Sequence, residues 1–205
     1  MASPPKTTPA DQAKPAALTS GSVSRQVSKL TGVQVLATGR AAPERVVHNK
    51  ELAEHGYDAD WIVQRTGIQS RHCAGPEEAT SDMATRAALL CLEAAELDPM
   101  DVDLILVSTI TPDQPTPSTA CHVQRAIGSN APAMDISAAC AGFMYAMVTG
   151  MQFIHNGTYR HVLVIGADMM SRTVNPEDKK TFPLFGDGAG AVLLGISFTV
   201  AYKLL

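Results

Sequence analysis

The chain has 205 residues, 45% of them apolar and 18% charged, with a formal charge of −4, a composition that suits a globular protein with one large core or two small ones. The acidic balance excludes the broad basic surface that holds a nucleic-acid backbone. Four cysteines, Cys73, Cys91, Cys121 and Cys140, lie far apart with no CxxC pair and no histidine at metal-ligand spacing, so the sequence predicts reduced, cytoplasmic thiols and no disulfide or zinc framework.

Residues 1–30 are rich in Pro, Ala, Ser, Thr and Lys, with no aromatic residue and no apolar run, and are expected to be a disordered extension. From Gly32 the pattern alternates strands with helices. "GVQVLATG" (Gly32–Gly39) reads as a strand; "NKELAEHG" reads as a short helix with Asn49 as N-cap and Gly56 as its stop. In "DADWIVQRTGI", Asp58 or Asp60 caps one or two helical turns that Gly67 ends. Ser81–Leu97 is the clearest amphipathic helix, with Met83, Ala87, Leu90, Ala94 and Leu97 as the expected buried stripe.

"DLILVST" (Asp103–Thr109) and "HVLVIGAD" (His161–Asp168) are near-continuous apolar runs, the signature of strands covered on both faces. Between them lie the Pro-rich loop Thr111–Pro117, a helix opening at Ser118, the strand "APAMDIS" and the helix "CAGFMYAMVTGMQFIHNG". A last strand, "GAGAVLLG", follows "FGDG", and the order implies an α/β fold with a largely parallel, helix-covered sheet. The longest apolar run, Ala138–Val148, is too short to span a bilayer.

The segment Met134–Met147, "MDISAACAGFMYAM", carries the chemistry. Its strand delivers Cys140 to the start of a helix, where free N–H groups and the macrodipole favour a thiolate and can stabilise an oxyanion. Ala141 and Gly142 would keep bulk away from the sulfur. A cysteine used as a small core residue is the competing reading, and periodicity alone leaves both open. Cys73, Cys91 and Cys121 read as structural, and none of the six histidines falls in a recognisable catalytic word.

Three words in order, "WIVQRTGI" (Trp61–Ile68), "DISAACAGF" (Asp135–Phe143) and "FGDGAGAVLL" (Phe185–Leu194), resemble the β-ketoacyl-ACP synthase III family, the thiolase-fold condensing enzymes that initiate type II fatty-acid synthesis. The resemblance spans Gly32 to about Gly195 and implies the first of two pseudo-repeated halves of a thiolase-like fold. It implies Cys140 as the acyl-accepting nucleophile and Trp61, Arg65 and Arg172 as coenzyme A contacts, ring and guanidinium flanking the adenine. On the residues alone, Trp61 reads equally as a core anchor and the arginines as solvated.

The resemblance further implies a homodimer that condenses an acyl-CoA primer, acetyl-CoA above all, with malonyl-ACP, with no permanently bound cofactor. Thr116 matches the position that lines the acyl pocket across the dimer interface, where an aromatic ring restricts primers to short ones. A threonine there implies a wider pocket unless neighbouring side chains refill it. The family's histidine and asparagine lie in its second half, so the sequence is expected to be a truncated product, with residues 196–205 an atypical apolar tail. A non-catalytic half-domain that pairs with another condensing-enzyme subunit is the alternative, with related polyketide or HMG-CoA-type synthases as neighbouring readings. The glycines of "GDGAGA" fit no phosphate loop, because no Lys-Ser/Thr and helix follow them; they are expected to permit close backbone packing near the site.

Overall fold

The computed structural model describes residues 31–197, in which β-branched and apolar runs become strands and the Ala-rich stretches between them become helices. In chain order these are β1 (Val33–Ala41), β2 (Val46–His48), α1 (Ala59–Thr66), β3 (Ser70–His72), α2 (Thr80–Ala94), β4 (Leu104–Ser108), α3 (Thr119–Ile127), β5 (Ala133–Ile136), α4 (Gly142–His155), β6 (His161–Met169) and β7 (Asp187–Ile196). The expected extension, residues 1–30, and the tail from residue 198 lie outside the described residues. Ile196, placed in the tail by the sequence, still belongs to β7 and pairs with Val33.

Five strands form one sheet in the order β1-β7-β6-β4-β5. Parallel pairing is confined to β5, β4 and β6, whereas β7 runs antiparallel to both β6 and β1. The sheet is therefore mixed, and the parallel expectation holds on the side that carries β5. A separate two-stranded antiparallel sheet, β2 with β3, leaves no mark in the sequence, because three residues per strand are too few to show alternation.

Alternate residues of the central strands face opposite layers, as a two-sided core requires. Ile105, Val107, Leu163 and Ile165 pack under α2 and α3, while Leu104, Leu106, Val162 and Val164 pack under α4. The helix positions differ from the expected stripe in phase. Helix α2 buries Met83, Ala84, Ala87, Ala88, Cys91 and Leu92, leaving Leu90 49% exposed and Ala94 at the surface. Two close approaches explain the choice of small residues. Gly39 of β1 lies so near the Ala87 carbonyl and the Cys91 backbone that no Cβ fits, and a Cβ on Gly150 of α4 would come within 2.9 Å of Val162.

A satellite cluster of Val47, Leu52, Tyr57 and Ile62, with Phe182 packed against it, joins α1 and the β2–β3 pair to the segment between β6 and β7. Its helix ends follow the sequence at Asp58, whose carboxylate accepts from Asp60 and Trp61 N–H groups, and at Gly67, left-handed at φ 73°. Asn49 is not the cap of the preceding short 3-10 helix: the cap is His48, whose N–H donates to Glu51 at 2.7 Å. Asn49 is instead buried and donates to the Ile68 carbonyl at 2.6 Å.

Candidate active site

Because β4, β5 and β6 are parallel, their carboxyl ends bring three connecting segments to one end of the sheet. The segment after β5 carries Cys140, the loop after β4 carries Thr116, and the segment after β6 carries Arg172. Ligand sites of open α/β sheets sit at this end.

Cys140 is exposed and lies in a short 3-10 turn, Ala139–Ala141, that runs straight into α4. Neither the turn nor α4 has a side-chain cap at its N-terminus; the turn itself supplies the acceptors, Ala141 N–H donating to the Ala138 carbonyl at 3.2 Å and Gly142 N–H to that of Ala139. Ala139, immediately before the cysteine, has φ 46°. A left-handed alanine is unfavourable and is held by its surroundings, a pattern found at functional turns. Gly142 has a different role from the one expected. It is buried against β4, and a Cβ there would overlap Ser108 Oγ, so its missing side chain lets α4 start close to the sheet.

Carboxylates at the strand ends hold this region together. Asp168, at the end of β6, accepts from Ile110 N–H at 2.8 Å and Thr109 Oγ1 at 3.1 Å, while Thr111 Oγ1 accepts from Met169 N–H at 2.8 Å. The start of the Thr116 loop is thereby stitched to β6. Asp135, in β5, accepts from Thr119 and Ala120 N–H groups, both at 2.8 Å, and fixes the far end of that loop at the start of α3. Thr116 itself is exposed. Asp187 is buried and accepts from Ala74 N–H, Ser171 N–H and Ser171 Oγ at 2.6–2.8 Å, tying β7 to the residue before Arg172.

Trp61 is 43% exposed on α1, not a core anchor, and the Arg65 guanidinium sits 5.8 Å from its ring centroid, within cation–π range. Together with Gly56, Tyr57, Asp58 and Lys179, Trp61 lines a cavity of about 270 Å³. Arg172 is not among those walls. Its guanidinium donates to the carbonyls of Gly75 and Pro76, the latter at 3.1 Å, and so braces the loop before α2. Lys179, which lies in a polar run with no periodicity to single it out in the sequence, donates to the Gly56 carbonyl at 3.3 Å on the same wall. Of the three glycines in "GDGAG", only Gly186 is sterically required, since a Cβ would come within 2.9 Å of Arg71 Cβ and the His72 carbonyl.

The other thiols differ physically from Cys140. Cys91 is fully buried under α2, which pushes its pKa up to about 11. Burial and the nearby Asp187 push Cys73 upward as well, against Arg45 and Arg71. Cys121 is half-buried, its sulfur 3.2 Å from Ser118 Oγ.

The layered α/β sheet with a cysteine turn at its carboxyl end is that of a thiolase-like condensing enzyme, and solved structures of that class superpose on it. One from Aquifex aeolicus, a 3-oxoacyl-[acyl-carrier-protein] synthase III, matches 82% of this chain and 55% of its own with a TM-score of 0.79 at 44% identity. The priming β-ketosynthase of the R1128 polyketide pathway matches with a TM-score of 0.77 at 37% identity over 81% of this chain and 50% of its own. A family profile described as 3-oxoacyl-[acyl-carrier-protein (ACP)] synthase III matches residues 134–203. The β-ketoacyl-[acyl-carrier-protein] synthase III of Rhodopirellula baltica is 64% identical over 168 residues, 82% of this chain and 49% of the relative; that of Geobacillus kaustophilus is 50% identical over 166 residues, 80% of this chain and 54% of the relative. The chain belongs to the β-ketoacyl-ACP synthase III family and spans about half the length of the curated relatives it matches.

Proposed function

We propose that Cys140 is the nucleophile of a fatty-acid-initiating condensing enzyme. Its thiolate attacks the thioester carbonyl of an acyl-CoA, acetyl-CoA above all; the tetrahedral oxyanion collapses with expulsion of the CoA thiolate, and the acyl group stays on Cys140. In the assembled enzyme, decarboxylation of malonyl-ACP then supplies the carbanion that takes the acyl group, giving a 3-oxoacyl-ACP, carbon dioxide and free Cys140. The observation that carries this reading is the exposed Cys140 in the turn that leads from the carboxyl end of β5 into α4, directly after the left-handed Ala139. Incubation with isotopically labelled acetyl-CoA followed by peptide mapping is expected to place the label on Cys140. Label on Cys73, Cys91 or Cys121 would overturn the assignment.

The cavity beside Trp61, with Lys179 and Arg65 near the indole, is suited to the nucleotide end of coenzyme A, because an aromatic face stacks on adenine and cations meet phosphate. Thr116 sets the primer range: a small side chain leaves room, and each added buried methylene contributes about 0.8 kcal/mol. A Thr116→Phe variant is expected to narrow the range of acyl-CoA primers accepted; an unchanged chain-length profile of kcat/KM would remove Thr116 from that role. Condensing enzymes of this kind act as cytoplasmic homodimers, and that assembly is part of the proposal.

A further inference from the structure

The satellite region holds a second cavity, of about 420 Å³, whose walls include Arg45, Arg71, Cys73, Leu52, Phe182 and Phe185. That volume is in the range of small-molecule sites. Cys140 is not among its walls, so it is separate from the acyl-transfer site.

Arg71 is the unusual member. It is 9% exposed, and its two terminal nitrogens donate to neutral oxygens alone: the Val47 carbonyl at 3.4 Å, Asn49 Oδ1 at 2.6 Å and the Pro183 carbonyl at 3.2 Å. Its Nε has no partner among the described residues. The one ion pair among those residues joins Arg86 to Glu78, elsewhere on the surface. Glu51 and Glu54 also border the cavity; Glu51 accepts from the His48 N–H at 2.7 Å and its charge reaches Arg71 through space, but neither carboxylate comes within ion-pair distance of the guanidinium. A buried guanidinium without a carboxylate is costly unless an anion completes it.

The rest of the wall limits which anion fits. Three of the five N–H groups of Arg71 are used, and the two left over, with a second arginine at the edge, suit a singly charged, planar carboxylate better than a phosphate, which needs more donors. Phe182, Phe185, Leu52 and Val47 offer an apolar surface to whatever the carboxylate carries. We propose that this cavity is a binding site for a small aliphatic carboxylate, its carboxyl group on Arg71 and Arg45 and its tail against Phe182 and Phe185.

Cys73 supplies the readout, since it lines the cavity and is half-buried. The 205-residue chain is titrated with sodium hexanoate, and alkylation of Cys73 and Cys140 by iodoacetamide is followed by peptide mapping. At a hexanoate concentration of about ten times Kd, Cys73 labelling is expected to slow about tenfold with saturation, while Cys140 labelling is unchanged. Hexan-1-ol, which lacks the charge, and inorganic phosphate, which lacks the tail, are expected to protect weakly or not at all. Arg71→Gln and Arg45→Gln are each expected to weaken protection. Arg45 is exposed and shares none of the Arg71 hydrogen bonds, so Arg45→Gln decides the matter even where Arg71→Gln fails to fold. No protection by hexanoate, equal protection by hexan-1-ol or phosphate, or full protection in Arg45→Gln overturns the proposal.

Discussion

Helices α2 and α4 lie on opposite faces of the same sheet and each approaches it closely at glycines, α2 by its backbone over Gly39 and α4 by Gly142 and Gly150 over sheet side chains, yet their outer surfaces differ. Helix α2 turns Asp82, Arg86 and Glu93 to the outside. Helix α4 has no charged residue from Gly142 to Ile154, and Met144, Tyr145 and Val148 are 59%, 58% and 46% exposed. The cysteines follow the same division: Cys91 is sealed under α2, and Cys140 stands open at the start of α4. Helix α2 sets its exposed Leu89 and Leu90 among charges. The other carries both the reactive end and a bare apolar face, the pattern of a surface meant to meet protein.

The largest expected effect concerns that face. Expressed alone, the 205-residue chain is expected to self-associate, and the triple change Met144→Lys, Tyr145→Gln, Val148→Lys to shift it toward monomer in sedimentation. The corresponding removal of Leu89 and Leu90, the exposed pair on α2, is expected to change association far less. A monodisperse, cooperatively folded monomer of the unmodified chain would erase the distinction between the two helices.

Next in size is the start of α4. Gly142→Ala drives a Cβ into Ser108 Oγ and is expected to cost about 1–3 kcal/mol by chemical denaturation, the range for overpacking. Ser108 Cβ lies 3.5 Å from the new atom, an ordinary contact, so Ser108→Ala should recover most of the loss. An additive double mutant would show that the hydroxyl is not the obstacle.

The sequence showed the strands of the sheet's centre and the cysteine turn because local pattern determines both: unbroken apolar runs need two covering layers, and the words around Cys140 and Trp61 are specific. It did not show the direction of β7, whose partner β1 begins more than 150 residues earlier, nor the phase of α2, which the contact with Gly39 selects over the Leu90 stripe. Asp168, Asp135 and Lys179 were illegible for the same reason. Each meets partners that only the fold brings near, the Gly56 carbonyl in the case of Lys179, whereas Arg172, conspicuous in the sequence, braces the carbonyls of Gly75 and Pro76 away from the Trp61 cavity.

A third test separates those two cations. Trp61→Ala is expected to weaken coenzyme A binding by about 1–3 kcal/mol, the value of stacking a base on an aromatic ring. Lys179→Ala should weaken it too and flatten its salt dependence, while Arg172→Ala should leave calorimetric affinity closer to wild type. The reverse ranking would return the contact to Arg172.

The smallest effect is on the α2 side. Burial holds the Cys91 thiol at about 11 against an ordinary 9.0, so the unfolded chain loses this proton first. Its contribution to stability is intact below 9.0 and declines as pH rises toward 11. Urea midpoints of the wild type should therefore fall more steeply over that window than those of Cys91→Ala; parallel curves would mean that Cys91 ionises as easily folded as unfolded.

Trp61 is the only tryptophan in the chain, and it stands on α1, outside the sheet, under the Arg65 guanidinium. Intrinsic emission therefore samples the satellite lobe and is silent about the central strands, whose core has no indole. Heating curves followed by fluorescence and by circular dichroism need not coincide, and a gap between them would measure how tightly the lobe is coupled to the sheet.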